Sequence, residues 1–149
     1  MIHGTGWVYG TSGNDSIVGD SGHDSLVGNG GDDSFSGGAY VQDQGGHDVI
    51  TVAPGGTFID EPNANHATVK SAISFSLYDS SWNNVHTLTL TGSGNLSGTG
   101  TWGNDVITAN SGADTLDGNG GADTLVGGAG HDPRLRLGLR HLRQRLDRR

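Results

Sequence analysis

The chain has 149 residues, of which 32% are hydrophobic and 28 are glycine, so it offers too little apolar material for an ordinary globular core. It has no cysteine, which excludes disulfides and thiol chemistry. Residues 1–133 hold one basic side chain, Lys70, against 15 acidic ones, a net charge of −14. Such a body disfavours nucleic acid and anionic membranes as partners and attracts cations.

The chain opens on MIHGTGWVYG, which has neither the basic nor the apolar region of a secretory signal peptide. No run in the sequence approaches the roughly 18 apolar residues of a membrane span. We therefore expect no signal peptide of this type and no transmembrane segment.

Three nine-residue segments then abut from Gly10 to Ser36: GTSGNDSIV, GDSGHDSLV and GNGGDDSFS. They share glycine at positions one and four, aspartate at position six and a large apolar residue at position eight. The second copy contains GDSG, the letters around the nucleophile of chymotrypsin-like proteases. Its Ser21 only fills position three of a repeat, and a nucleophile needs no periodic duplicate, so we predict no catalytic serine.

The same pattern returns four times from Gly100 to Leu135, as GTWGNDVIT, ANSGADTLD, GNGGADTLV and GGAGHDPRL, and DQGGHDVIT at 43–51 is an offset copy. A fixed period takes precedence over any single motif. The pattern divides the chain into a lead-in (1–9), an N-terminal repeat block (10–51), a strand-rich insert (52–99), a C-terminal repeat block (100–132) and an Arg-rich tail (133–149).

The spacing within a repeat indicates a chemistry. Glycines adopt positive φ without steric cost, so a loop rich in them can turn its carbonyl oxygens inward. An aspartate adds a charged oxygen, and oxygen ligands of these two kinds suit a hard cation, above all calcium. The remaining residues predict a very short strand whose middle side chain faces inward. Alternating loops and strands then wind a coil of two short sheets around a thin core of Ile17, Leu26, Phe35, Ile50, Ile107, Leu116 and Leu125.

These abutting GGxGxD copies resemble the RTX (repeats-in-toxin, hemolysin-type) repeats of secreted bacterial proteins. The resemblance implies an all-β fold, a right-handed parallel β-roll or β-solenoid, with Ca²⁺ bound between loops on the same side, 18 residues apart. It implies the metal-binding aspartates Asp15, Asp24, Asp33, Asp48, Asp105, Asp114, Asp123 and Asp132. It also implies backbone ligation in the loops of Gly10, Gly13, Gly19, Gly22, Gly28, Gly31, Gly100, Gly103, Gly112, Gly118, Gly121, Gly127 and Gly130.

A complete site by this rule needs two good loops 18 residues apart. Three pairs satisfy it: Asp15 with Asp33, Asp105 with Asp123, and Asp114 with Asp132. Asp24 would pair with position 42, where Gln42 stands. We therefore predict about three well-formed calcium sites and place Asp24 and Asp48 in incomplete ones.

Residues 52–99 lack the nonapeptide. In TVKSAISFSL, Val69, Ile73, Phe75 and Leu77 are separated by even numbers of residues and would share one face of a strand. In VHTLTLTG, Leu88 and Leu90 share one face, so both segments predict strands. GSGNLSGTG is typical of turns. The segment resembles one in long RTX-type proteins, which implies a metal-free continuation of the solenoid. A small separate β-sandwich is the alternative.

Other residues give no catalytic constellation. His23, His47 and His131 all stand at position five, which also accepts alanine and so predicts no essential ligation. HExxH and GxSxG motifs do not occur in the sequence. Trp7, Trp82 and Trp102 are interpreted as solenoid packing in preference to sugar platforms. We predict that this chain alone is not an enzyme.

The expected role is calcium binding and calcium-induced folding in a secreted, extracellular or cell-surface bacterial module. The alternatives are the exported tail of a hydrolase or toxin whose catalytic domain is absent from this chain, and an adhesin segment. Type I secretion machinery is a candidate partner through the resemblance. The sequence names no protein or surface target.

The tail departs from the family. After Asp132 come Pro133 and LRLGLRHLRQRLDRR from residue 135, whereas type I secretion signals usually contain few arginines. A reading-frame slip is the favoured interpretation. The alternative is a basic amphipathic helix, because Leu135, Leu139, Leu142 and Leu146 fall at helical spacing.

Overall fold

The computed structural model describes residues 1–20, 24–37, 40–42, 45–52, 58–60, 67–78, 85–129 and 134–136, with the backbone alone at 58–60 and 134–136. Every regular element in this part of the chain is a β-strand. No helix that could span a membrane is found among these residues. The strands are β1 Ile2–Gly4, β2 Trp7–Tyr9, β3 Ser16–Gly19, β4 Ser25–Val27, β5 Ser34–Ser36, β6 Tyr40–Gln42, β7 Val49–Val52, β8 Phe58–Asp60, β9 Thr68–Ser71, β10 Phe75–Ser76, β11 Thr87–Leu90, β12 Ser97–Thr99, β13 Val106–Thr108, β14 Thr115–Asp117, β15 Thr124–Val126 and β16 Arg134–Arg136.

Each repeat contributes one of these short strands, as its pattern predicts. In β15, for example, Leu125 is buried whereas Thr124 is exposed, because neighbouring side chains of a strand point to opposite faces. The residue at position eight lies in the core in each repeat whose side chains the structure describes. Burial of each such side chain contributes about 1.5–3 kcal/mol. The predicted core residues are confirmed as Ile17, Leu26, Phe35, Ile50, Ile107, Leu116 and Leu125, with exposures of 0–3%.

The chain forms two compact units. The first comprises Met1–Val69 and Ser80–Val85. In it β1, β3, β5 and β7 are consecutive neighbours in one parallel sheet, and β2, β4, β6 and β8 form a second. Because successive strands alternate between the sheets, the backbone winds as a coil. This arrangement confirms the predicted parallel β-solenoid.

The second unit comprises Lys70–Asp79 and His86–Arg149. It repeats the architecture, with β11, β13 and β15 in one parallel sheet and β10, β12, β14 and β16 in the other. Strands β10, β11 and β12, which come from the predicted insert, pair in parallel with each other or with strands of the C-terminal repeats. Strands β10, β11 and β12 therefore lie in the parallel sheets of the solenoid and do not form a separate β-sandwich.

The insert nevertheless differs in detail from the sequence prediction. TVKSAISFSL forms two strands that lie in different sheets, β9 and β10. Ser71, the last residue of β9, is buried; its hydroxyl donates to the Ile73 carbonyl at 2.7 Å, and Ile73 is exposed. The chain turns at this hydrogen bond, and the predicted alternation of inward and outward side chains ends there. The end of GSGNLSGTG, assigned to turns, forms strand β12.

Two tryptophans are exposed. Trp7 is 62% exposed and Trp102 is 71% exposed, so neither packs in the solenoid core. The Trp7 and Tyr9 ring planes lie 15° from parallel, and Trp102 meets the Tyr78 ring edge to face at 5.7 Å. Trp82 lies outside the described residues. The sugar-platform alternative stays a prediction.

The start of the tail also forms part of the coil. Residues 134–136 form β16, which pairs with β14, so a helix that begins at Leu135 is wrong. Residues 137–149 lie outside the described part of the chain.

Candidate metal centre

The loop aspartates of one side stack in columns along each unit. In the first unit Asp15, Asp33 and Asp48 precede β3, β5 and β7. The backbone N–H of Asp15 donates to Oδ1 of Asp33 at 2.8 Å, and the N–H of Asp33 donates to Oδ1 of Asp48 at 2.8 Å. Parallel pairing of the strands therefore brings carboxylates that are distant in sequence into neighbouring turns.

The second unit contains the same contact. The backbone N–H of Asp105 donates to Oδ1 of Asp123 at 3.0 Å, 18 residues later. On the opposite side of this unit Asp114 takes the equivalent bond from Leu96 N–H at 2.7 Å, and in the first unit Asp24 takes it from Gly6 N–H at 2.7 Å. In these two cases the preceding turn supplies no aspartate.

The second carboxylate oxygen usually bonds within its own loop. Oδ2 of Asp15 accepts from Thr11 N–H at 2.6 Å, and Oδ2 of Asp105 accepts from Thr101 N–H at 2.6 Å. The residue at position two thus turns the side chain at position six back over its own glycine loop. The Thr11 hydroxyl also donates to the Asp15 carboxylate, and the Thr101 hydroxyl donates to the Asp105 carboxylate. These bonds from Thr11 hold the pKa of the Asp15 carboxyl below its usual range, the backbone bond most strongly.

Position-four glycines pack one loop against the next. A methyl group on Gly121, whose φ is +105°, would overlap the carbonyl oxygen of Gly103. Gly31 has the same φ and would bring its Cβ to 2.7 Å from the carbonyl carbon of Gly13. Only glycine fits a close approach with this backbone conformation. The contact holds the main chain of Gly103 or Gly13 against the glycine loop of the next turn.

Asp123 shows the electrostatic character of the site. It is 3% exposed, and its Oδ2 is buried without a hydrogen-bond donor. Burial raises the pKa of the Asp123 carboxyl above its usual range. The hydrogen bond from Asp105 N–H lowers this pKa, whereas the negative charges of Asp105 and Asp117 raise it. A buried carboxylate oxygen without a donor is costly unless another group neutralises it.

A hard cation fits this environment. The described residues contain no cluster of three or more His, Asp or Glu side chains able to hold a metal. Carboxylates alone therefore do not supply a coordination sphere there, and backbone carbonyls of the glycine loops are the other available oxygens. Mixed carboxylate and carbonyl ligation is what Ca²⁺ prefers, whereas zinc prefers several nitrogen or sulfur ligands.

The registers revise the predicted pairs. Asp48 lies 15 residues after Asp33, not 18, and joins the column of the first unit. Gln42 lies inside β6 opposite Val27, so it does not occupy the loop position assigned to it opposite Asp24. Strand β16 pairs Arg134 with Thr115, an offset of 19. Asp132, Gly22 and Gly130 lie outside the described residues, and the Asp114–Asp132 pair stays a prediction.

A further contact was missed from sequence. At position five, the side-chain Oδ1 of Asn104 accepts from the backbone N–H of Ala122 at 2.7 Å, 18 residues later. Position five accepts alanine because the later residue contributes only its main chain, while the earlier one needs a side-chain acceptor. An Asn placed 18 residues before an Ala was the available signal. Equivalent bonds join Ala113 N–H to Asn95, Asp32 N–H to Asn14, and His47 N–H to Asp32.

Comparison with protein families finds the RTX calcium-binding nonapeptide repeat in four copies, at residues 9–39 and 99–132. Comparison with curated proteins and with solved structures gives no match. The matched segments contain Asp15, Asp33, Asp105 and Asp123, whose loops stack as described. The two loop blocks are therefore RTX calcium-binding nonapeptide repeats.

Proposed function

We propose that the chain binds calcium through the stacked loops of its two units and that calcium drives its folding. The buried Oδ2 of Asp123, which lacks a donor beside the Asp105 loop, is the observation that carries the proposal. A cation there neutralises charge that the protein leaves without a partner, and it binds two turns together. The RTX match supports calcium as that cation.

The number of bound ions tests the pairing of loops. Neighbouring turns both supply an aspartate at Asp15–Asp33, Asp33–Asp48 and Asp105–Asp123. We expect isothermal titration calorimetry to give about three calcium ions per chain with dissociation constants of about 10⁻⁴–10⁻³ M. A stoichiometry near eight would mean that single loops suffice. A stoichiometry near zero would overturn the proposed function.

Acid is expected to weaken calcium binding first at the Asp105–Asp123 loops. The raised pKa of Asp123 means that protons compete with calcium there at a higher pH than the ordinary carboxyl value of 3.8. Calcium titrations between about pH 7 and about pH 4 should show affinity falling with pH, and Asp123→Asn should abolish this loss at that site. An Asp20→Asn variant, which removes an exposed charge, should keep the wild-type pH profile.

Without calcium, acid is expected to have the opposite effect, on the stability of the fold. The folded chain then binds the Asp123 proton more tightly than the unfolded chain does, so acid stabilises the metal-free fold. This contribution is lost as the pH rises through the raised pKa. Circular dichroism in EDTA checks it: the chain, unfolded at neutral pH, should gain β-sheet signal as the pH is lowered, and a signal that instead grows as the pH rises would contradict the burial of a charge at Asp123.

We further propose that the module works outside the bacterial cell, as part of a secreted or surface protein. RTX-repeat proteins are typically secreted, and a chain that folds only with calcium would stay unfolded at low cytosolic calcium, which suits export through a channel. The exported tail of a hydrolase or toxin and an adhesin segment remain the two versions of this role. Sequencing the gene region upstream of Met1 distinguishes them: a catalytic motif there favours the first, and further repeats favour the second.

A further inference from the structure

His86 occupies the place of a loop aspartate. Strand β11 pairs with β13 so that Thr87 lies opposite Val106, which puts His86 opposite Asp105. The backbone supports this alignment, since Val106 N–H donates to the His86 carbonyl at 2.8 Å. In the turn before the Asp105 loop, the position that elsewhere holds an aspartate therefore holds an imidazole.

The imidazole contacts the next carboxylate directly. Nδ1 of His86 lies 2.9 Å from Oδ1 of Asp105 and 3.2 Å from the Thr101 hydroxyl. An ionised carboxylate only accepts hydrogen bonds, so Nδ1 carries the proton. The ring also packs on Gly103, where an added Cβ would lie 2.6 Å from Cε1 of His86. The Asp105 side chain is 0% exposed beneath it.

Asp15 provides a matched comparison within the same chain. GTSGND and GTWGND differ at a single position, and Asp15 and Asp105 both accept bonds from the threonine four residues earlier. Each stands first in its column of aspartates. Asp15 is half-buried, whereas Asp105 is buried and held by a third donor, His86. The imidazole is thus a donor that Asp105 has and Asp15 lacks, alongside the change of Ser12 to Trp102 in the loop itself.

We propose that His86 is a positioning residue for calcium: it closes the upstream side of Asp105 by a hydrogen bond and orients the carboxylate toward the ion shared with Asp123. The proposal rests on the proposed function. Outer-shell partners that orient a metal ligand typically contribute about 10–100-fold to metal affinity. No metal is needed between His86 and Asp105, because the hydrogen bond already joins those two turns.

The test compares two substitutions in the full chain by calcium titration calorimetry. His86→Leu removes the donor, and we expect about tenfold weaker calcium binding at one site. His86→Asn places an amide N–H near the position of Nδ1 and should keep most of the affinity. His47→Leu, which changes an exposed histidine at position five of another loop, should leave calcium binding as in the wild type.

A double-mutant cycle assigns the effect to its site. In a chain that already carries Asp123→Asn, His86→Leu should cause no further loss of calcium affinity, because the two residues act on the same ion. An equal loss in both backgrounds would overturn the proposal. So would wild-type affinity in His86→Leu, or equal weakening by His86→Leu and His86→Asn.

The wild-type chain gives an independent readout that needs no variant to fold. Nitrogen NMR of the calcium-loaded protein should find a proton on Nδ1 of His86. A proton on Nε2 alone would overturn the proposal while leaving calcium binding intact. A wild-type chain that binds no calcium would instead overturn the proposed function and this inference together.

Discussion

Circular dichroism is expected to show an unfolded chain in EDTA and a β-sheet spectrum after addition of about 10 mM calcium. Folding stacks the loop carboxylates of Asp15, Asp33 and Asp48 in adjacent turns. Two unit charges at about 5 Å repel by roughly 0.8 kcal/mol even at the dielectric constant of water, and by more in a drier loop. The thin core has little reserve to offset this repulsion in a body of such high negative charge.

Calcium replaces the repulsion between these carboxylates by attraction of each carboxylate to the ion. An ion that binds only the folded chain stabilises it by about 2.7 kcal/mol per site at a hundredfold excess over its dissociation constant. Binding and folding should then be one event, as in other small metal-dependent domains. Magnesium at the same concentration is the control, and it should restore little structure because it demands tight octahedral geometry and releases water reluctantly. Identical β-sheet spectra with EDTA and with calcium would refute the switch.

The second large effect is expected from Gly121→Ala. Gly121 combines a φ of +105° with contact against the Gly103 carbonyl oxygen, so a methyl group both strains the backbone and separates the two loops. We expect loss of calcium binding at the Asp105–Asp123 site and a destabilisation of about 1–3 kcal/mol or more. Calorimetry in calcium and thermal unfolding of the calcium-loaded chain measure the two effects.

Gly13→Ala is the matched control, because Gly13 occupies the same position four in its own repeat. The nearest neighbour of an added Cβ there is the Thr11 hydroxyl, at an ordinary 3.8 Å. The substitution should therefore leave calcium affinity and stability nearly unchanged. Equal damage from both substitutions would mean that position four needs glycine for the flexibility of the loop rather than for contact between turns.

The strands and the core were predictable because each depends on a local pattern. An apolar residue two places after each aspartate, flanked by polar ones, fits a short strand with one buried side chain, and Ile17 or Leu125 needs no distant information to be assigned inward. The glycine-aspartate loops likewise indicated a hard cation before any contact was known.

The register of strand pairing could not be predicted from a constant repeat length, because the packing of apolar side chains determines it. An offset of 18 from Leu26 would bring Gln44 to the core position, whereas the observed pairing places Val41 there, 1% exposed. In the same way an offset of 18 from Leu116 leads to Arg134, and the observed register pairs Leu116 with Leu135. Requiring an apolar residue opposite each apolar residue would have found both offsets.

His86 was missed for a related reason. Its sequence neighbourhood, VHTLTLTG, contains no glycine loop and no aspartate, so only the pairing of β11 with β13 shows that it stands opposite Asp105. A role that arises between turns of a coil is not visible in either turn alone.

The polar bonds at position five make the coil directional. A side-chain acceptor in one turn receives an N–H from a later turn at Asn14, Asp32, Asn95 and Asn104. Ala122, which donates to Asn104, has no side-chain acceptor to offer in turn. A gene duplication that appended a repeat beyond such an alanine would leave the new main-chain N–H without its acceptor. Duplication of an interior repeat such as residues 100–108 would carry its own asparagine and preserve the column. Chains of this kind should therefore lengthen by duplication of repeats that carry a side-chain acceptor at position five.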